Sequence, residues 1–191
     1  MKRIAFGLLA LTVCIGFSGC KSKPKMDSDK TMFDYMQEQV GKIGEKGGMA
    51  SVGLGESRNT QLAITKAKVE ARKNLAQLVQ VKIENLEKAF IEEVGEASGS
   101  EINELFSSAT KQITSQTLQG TMPKMQEYEI NEGITTAYVL MILNPEVIHA
   151  SLKNNQAKHL YERFRASKAF EELDKEIKEF EQVDMQGLIG K

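Results

Sequence analysis

Residues 49–94 read MASVGLGESRNTQLAITKAKVEARKNLAQLVQVKIENLEKAFIEEV. The first eight form a short strand-like run that contains Gly53 and Gly55. From about Asn59 the apolar residues take up a helical period. Ala63, Ala67, Ala71, Leu75, Leu78, Val79, Leu86 and Phe90 fall close to one helical face, and Ser57 or Asn59 is placed to cap its start. The stripe begins with alanines and ends with large side chains. Small residues let a helix approach its neighbour closely, so the first half is expected to lie tight against a sheet and the second half to line a deeper core.

Outward from this unit, GEASGS at 95–100 is a break. A second helix is expected over 101–118, with Ile102, Leu105, Phe106, Ala109 and Ile113 on one side, Ser100 as N-cap, and Glu101 and Glu104 at the positive end of its dipole. Gly120 and Pro123 end it. Residues 125–130 and 134–143 then read as a β-hairpin around Asn131-Glu132-Gly133. The second strand is apolar on both faces, Ala137, Val139, Met141 and Leu143 against Tyr138, Leu140 and Ile142. Such a strand is central and covered on both sides. The two helices cover one side, and the terminal helix or another subunit is expected on the other.

At the near end, Met32, Phe33, Met36, Val40 and Ile43 recur at helical steps, and residues 44–48 stop that short helix. At the far end, 146–182 reads as one strongly helical segment. Phe170, Leu173, Ile177 and Phe180 repeat at 3-4-3 spacing within it, as in a short heptad seam flanked by charges. The seam either docks on its own domain or meets a partner. The predicted fold class is α+β: a small antiparallel sheet of one short strand plus a β-hairpin, packed on a long helix and a second helix, with a C-terminal amphipathic helix. The predicted division is a leader at 1–19, a tether at 20–30, a short helix and linker at 31–48, an α+β domain at 49–152, and a terminal helix and tail at 153–191.

The 191 residues suffice for one domain plus a leader. Lys2 and Arg3 precede a fourteen-residue apolar run at 4–17 (IAFGLLALTVCIGF), too short for a permanent span and suited to a secretory h-region. Phe17-Ser18-Gly19-Cys20 follows directly. Small residues before a cysteine at this place resemble the bacterial lipobox. That reading implies a diacylglycerol thioether on Cys20 and cleavage between Gly19 and Cys20. Two or more acyl chains anchor stably where one does not. The only other cysteine, Cys14, leaves with the leader, so the mature chain forms no disulfide and depends on its core. Residues 21–30 (KSKPKMDSDK) are polar, without a hydrophobic period, and reach at most about 35 Å when extended. Lys21, where an aspartate would signal retention, points to the outer membrane and its periplasmic face.

The run Val52-Gly53-Leu54-Gly55-Glu56-Ser57 leads into Gln61, Ala63, Ala67, Ala71-Arg72 and Leu75-Ala76, and Ala137-Tyr138-Val139-Leu140-Met141 comes near the end. Over residues 49–152 this pattern resembles the lipoprotein-20 family of small bacterial membrane-associated lipoproteins. The resemblance implies a compact α+β domain likened to dodecin-type folds, and an outer-membrane setting tied in some members to flagellar structures and motility. It brings no catalytic residues.

The formal net charge of −1 gives no global reason to bind nucleic acid, and with no Trp and only 4 Tyr a base-stacking platform is poorly supplied. Gly53-x-Gly55 resembles a phosphate-cradling turn, but Arg58 stands where a dinucleotide fingerprint needs a third glycine. Close backbone approach explains the glycines better. His149 and His159 lie about 80° apart around a helix, with no cysteine left to join them, so no metal or other cofactor is predicted. Ser107 and Ser108 sit within a helix without a histidine near in sequence, and Glu92-Glu93 and Glu171-Glu172 splay apart as solvated pairs. The expected function is therefore not enzymatic. It is that of a structural or interaction lipoprotein that partners a membrane through Cys20 and either copies of itself or another envelope protein. A ligand-binding lipoprotein holding a lipid, peptide or glycan is the alternative.

Overall fold

The computed structural model describes residues 30–95, 99–118 and 121–183. Helix α1 (Met32–Gly44) leads into strand β1 (Met49–Ser57) and the long α2 (Thr60–Val94). Helix α3 (Gly99–Gln112) runs on through a single π-helical turn, Ile113–Thr117. Strands β2 (Met125–Asn131) and β3 (Ile134–Leu143) form the hairpin, and α4 (Glu146–Lys153), α5 (Lys158–Arg165) and α6 (Lys168–Glu181) complete the chain. The class is α+β, as expected from the sequence. No described helix is long and apolar enough to cross a membrane.

The three strands pair antiparallel in the order β1-β3-β2, which puts the two-faced β3 in the middle. Glu132 and Gly133 close the hairpin with positive φ, 51° and 76°. A two-residue turn of that kind has the twist that flanking strands need, and glycine takes its second position without strain.

One face of the sheet lies on α2. Asn59 caps this helix, its Oδ1 accepting the Leu62 N–H at 3.0 Å. Ser51, Gly53 and Gly55 of β1 face the Ala63-Ala67-Ala71 stripe. A Cβ on Gly53 would overlap the Ala67 carbonyl oxygen and the Ala71 nitrogen; one on Gly55 would overlap the Ala63 carbonyl and the Ala67 nitrogen. Strand and helix are thus in backbone contact, and the Ser51 hydroxyl donates to the Ala71 carbonyl at 2.7 Å within that contact. Further along, Leu75, Val79, Ile83, Leu86 and Phe90 are buried against α3 and the C-terminal helices. Leu78, grouped with that stripe on sequence, is instead 44% exposed. The largest side chains meet as a triad. Phe164 packs edge-on to Phe90 (centroids 5.5 Å apart) and to Phe106 (5.3 Å).

The second face of the sheet is covered by α1, and not by the terminal helix as a whole. Met36 and Ile43 of α1 are buried against Ala50 and Val52 of β1 and Tyr138 and Leu140 of β3; Phe180 of α6 adds only at the margin. Helix α1 is started by a capping box. The Asp34 N–H donates to the Thr31 hydroxyl oxygen, and the Asp34 carboxylate accepts from the Thr31 N–H. The Thr31 hydroxyl, which also donates to this carboxylate, and then the Thr31 N–H hold the Asp34 carboxyl below its ordinary range. Lys30 and Lys42 hold the Glu38 carboxyl down at about 2.

The single helix expected over 146–182 is three helices. Asn155 turns its Oδ1 to the Ala157 N–H at 3.1 Å, a local bond that competes with helix continuation. Ser167 then serves two helices at once: its hydroxyl donates to the Phe164 carbonyl that ends α5 and accepts from the Phe170 N–H that begins α6. Lys168 N–H donates to Glu93 at 2.9 Å, and Lys82 pairs with Glu176, so α6 is fastened along α2. The core that contains α2 also contains residues of α4, α5 and α6.

Candidate interaction surface

Gly19 and Cys20, the expected cleavage and lipidation sites, lie outside the described residues. The Phe170-Leu173-Ile177-Phe180 seam is turned inward. Leu173 and Ile177 are buried in the α2 core, Phe170 packs beside them, and Phe180 packs on the α1 side of the sheet. Of the two readings of the seam, its own chain occupies it, and its coiled-coil spacing reflects docking along α2. Gly53 and Gly55 lie within β1, not at a turn, and serve the close approach of strand and α2 backbone.

The histidines are far apart in role. His159 is exposed and lies 3.6 Å from Glu101. His149 is part of a connected set. One ring nitrogen meets the Tyr161 hydroxyl at 2.8 Å, the other meets Glu146 at 3.2 Å, and Phe170 stands edge-on to the ring. A carboxylate, an imidazole and a hydroxyl in series is the order of a proton relay. Tyr161, however, is only 6% exposed, and burial raises its pKa above the ordinary phenol value. The set ties α4, α5 and α6 together. Tyr161→Phe keeps the ring and removes the hydroxyl, and is expected to lower the unfolding free energy by about 1 kcal/mol. Urea denaturation would show this as a lower midpoint with an unchanged slope.

Large exposed apolar side chains stand on α2, where they include Leu62, Val69, Leu78 and Val81, and also on the sheet, where they include Leu54, Tyr128, Ile130 and Ile134. The two edges of the sheet are unlike. In a two-residue hairpin the residues flanking the turn bond each other, so Asn131, Glu129 and Glu127 bond β3, while Gln126, Tyr128 and Ile130 point their N–H and C=O groups outward. On β1 the outward groups belong to the even-numbered residues. There α2 reaches over the edge: Asn74 Nδ2 donates to the Val52 carbonyl at 3.0 Å and Lys66 Nζ donates to the Glu56 carbonyl at 2.9 Å. Nothing comparable covers β2 among the described residues, where β3 is the main neighbour. Tyr128 is 53% and Ile130 59% exposed on the α2 side of β2. On the α1 side, beyond the reach of α1, stand Glu127 and Glu129, with Glu56 across the sheet in the same row as Glu129. Glu129 accepts a hydrogen bond from Tyr138, whose hydroxyl is pushed up to about 12 by burial first and then by this carboxylate.

Tyr128 and Ile130 were not singled out from the sequence as site residues. A signal for them was present, because a strand apolar on both faces has to be central, which makes the strand before it an edge. Set against protein-family models, curated proteins and solved structures, the chain finds no match.

Proposed function

We propose that the chain is a lipid-anchored lipoprotein of the cell envelope, on the periplasmic face of the outer membrane, with a scaffold or adaptor role and no catalytic activity. The likeness to the lipoprotein-20 family, with its flagellar associations, forms part of this proposal. The observation that carries it is the apolar run at 4–17 ending in Phe17-Ser18-Gly19-Cys20, with no further cysteine in the chain after Cys20. The fold is consistent with tethering. The first described helix starts at the capping box of Thr31, and in the sequence residues 21–30 stand between it and Cys20. The open sheet edge at β2 favours an adaptor over a container for a small ligand.

The test is Cys20→Ser in the source cell. The wild-type chain is expected to take up labelled fatty acid and to sediment with membranes after a high-salt wash; the variant is expected to lose the label and to stay unprocessed or appear in the soluble fraction. An unlabelled wild type, or a variant that fractionates like it, would overturn the anchor.

A further inference from the structure

We infer that the outer edge of β2 is a docking site for an extended, basic segment of a partner protein, which adds a fourth strand to the sheet. The inference rests on the adaptor reading only in that the domain has a partner; the chemistry comes from the edge.

Three features of β2 define what fits. Its outward backbone groups, on Gln126, Tyr128 and Ile130, form a regular ladder of donors and acceptors over a strand without proline or an assigned bulge. Natural proteins guard such edges, and β1 is guarded by Asn74 and Lys66. Next, Tyr128 and Ile130 offer an exposed apolar strip on one side of the ladder. Finally, Glu127 and Glu129 place two carboxylates on the other side, with Glu132 at the turn. An incoming strand alternates in the same way, so it sets one row of side chains beside Tyr128 and Ile130 and the other row beside the two glutamates. The matching sequence alternates apolar residues with Lys or Arg.

The same charges argue against a second copy of this chain at the edge. Two β2 strands related by a two-fold axis can bond only with their even-numbered residues aligned. Centred on residue 128, Glu127 of each copy stands opposite Glu129 of the other; centred on 127 or 129, a glutamate stands opposite itself. Like charges directly opposite destabilise strand pairing. In these registers, which pair the most of β2, the edge repels a copy of itself while it attracts a basic strand, a combination that gives specificity through repulsion as well as attraction.

The experiment uses the full chain in detergent micelles and two end-blocked fluorescent peptides, one alternating lysine with valine and one alternating glutamate with valine. By anisotropy the lysine peptide is expected to bind at least about tenfold more tightly than the glutamate peptide. Hydrogen exchange is expected to slow across residues 125–131 when it binds. Tyr128→Pro deletes an outward N–H and no β2–β3 bond, so it is expected to abolish binding while leaving the urea midpoint near wild type. Glu127→Lys is expected to narrow or reverse the preference, and serves as the readout if the proline variant misfolds. Absence of binding by the lysine peptide, equal binding of both peptides, exchange protection elsewhere in the chain, or cross-links between the β2 strands of two copies would each overturn the inference.

Discussion

Gly53→Val is expected to lower the unfolding free energy by about 3 kcal/mol or more, enough to leave a domain of ordinary stability partly unfolded. The cost arises because the obstacle is backbone. Around most buried positions an added methyl group displaces the end of a side chain, which can change rotamer. At Gly53 it meets the Ala67 carbonyl and the Ala71 nitrogen, both held in the hydrogen-bond ladder of α2. Relief requires β1 and α2 to separate, which opens the alanine contact along its length and strains the bond from Ser51 to the Ala71 carbonyl. Gly55→Val is expected to act alike. Gly41→Ala is the control: it lies in α1 with no atom near the added Cβ and is expected to be neutral or to stabilise by about 0.5–1 kcal/mol. Urea unfolding followed by circular dichroism separates the cases. A Gly53→Val protein as stable as wild type would mean that β1 and α2 are not in backbone contact.

How much of this was legible depends on how local the signal was. The alanine stripe and the glycines of β1 could be read because each is a property of one element: a face of only small residues leaves close approach as its main use. The centrality of β3 was legible for the same reason, since both of its faces are apolar within ten residues. What α1 covers was not legible. Met36 and Ile43 mark an apolar face, yet periodicity does not say which surface that face meets, and the terminal seam was an equally apolar candidate. The breaks in the C-terminal segment were hidden differently. Leu160, Tyr161 and Phe164 continue a helical spacing, and the stops come from single side-chain bonds of Asn155 and Ser167 that outweigh a weak helix propensity. The seam shows the limit of pattern reading most clearly. A 3-4-3 repeat specifies that a helix packs along another helix, and says nothing of whether the partner is α2 of the same chain or a helix of a different one. The edge site depends on a negative, that nothing among the described residues covers β2, and a sequence does not carry negatives.

Phe164→Ala is expected to cost about 4 kcal/mol, the range for removing a fully buried phenylalanine, and its consequences should be uneven along the chain. Phe164 is fully buried and is the member of the aromatic triad that α5 contributes; it faces Phe90 of α2 and Phe106 of α3, and Phe170 of α6 packs edge-on to it from the other side at 5.7 Å. Its loss leaves a void bordered by three separate helices, none of which can move in without leaving the others. Meanwhile the contacts that hold β1 and β3 to the N-terminal half of α2, and α1 to the other face of the sheet, do not include Phe164. Amide exchange should therefore accelerate first across α4, α5 and α6, while β1, β3 and the first turns of α2 keep more of their protection. The same variant tests whether the edge is an independent site. If β2 takes its partner through the ladder and the two glutamates, Phe164→Ala should bind the lysine peptide as wild type does at temperatures where the sheet remains folded. Equal acceleration of exchange in every element would instead mean that the sheet and the C-terminal helices unfold as one cooperative unit, with the aromatic triad as a keystone for both.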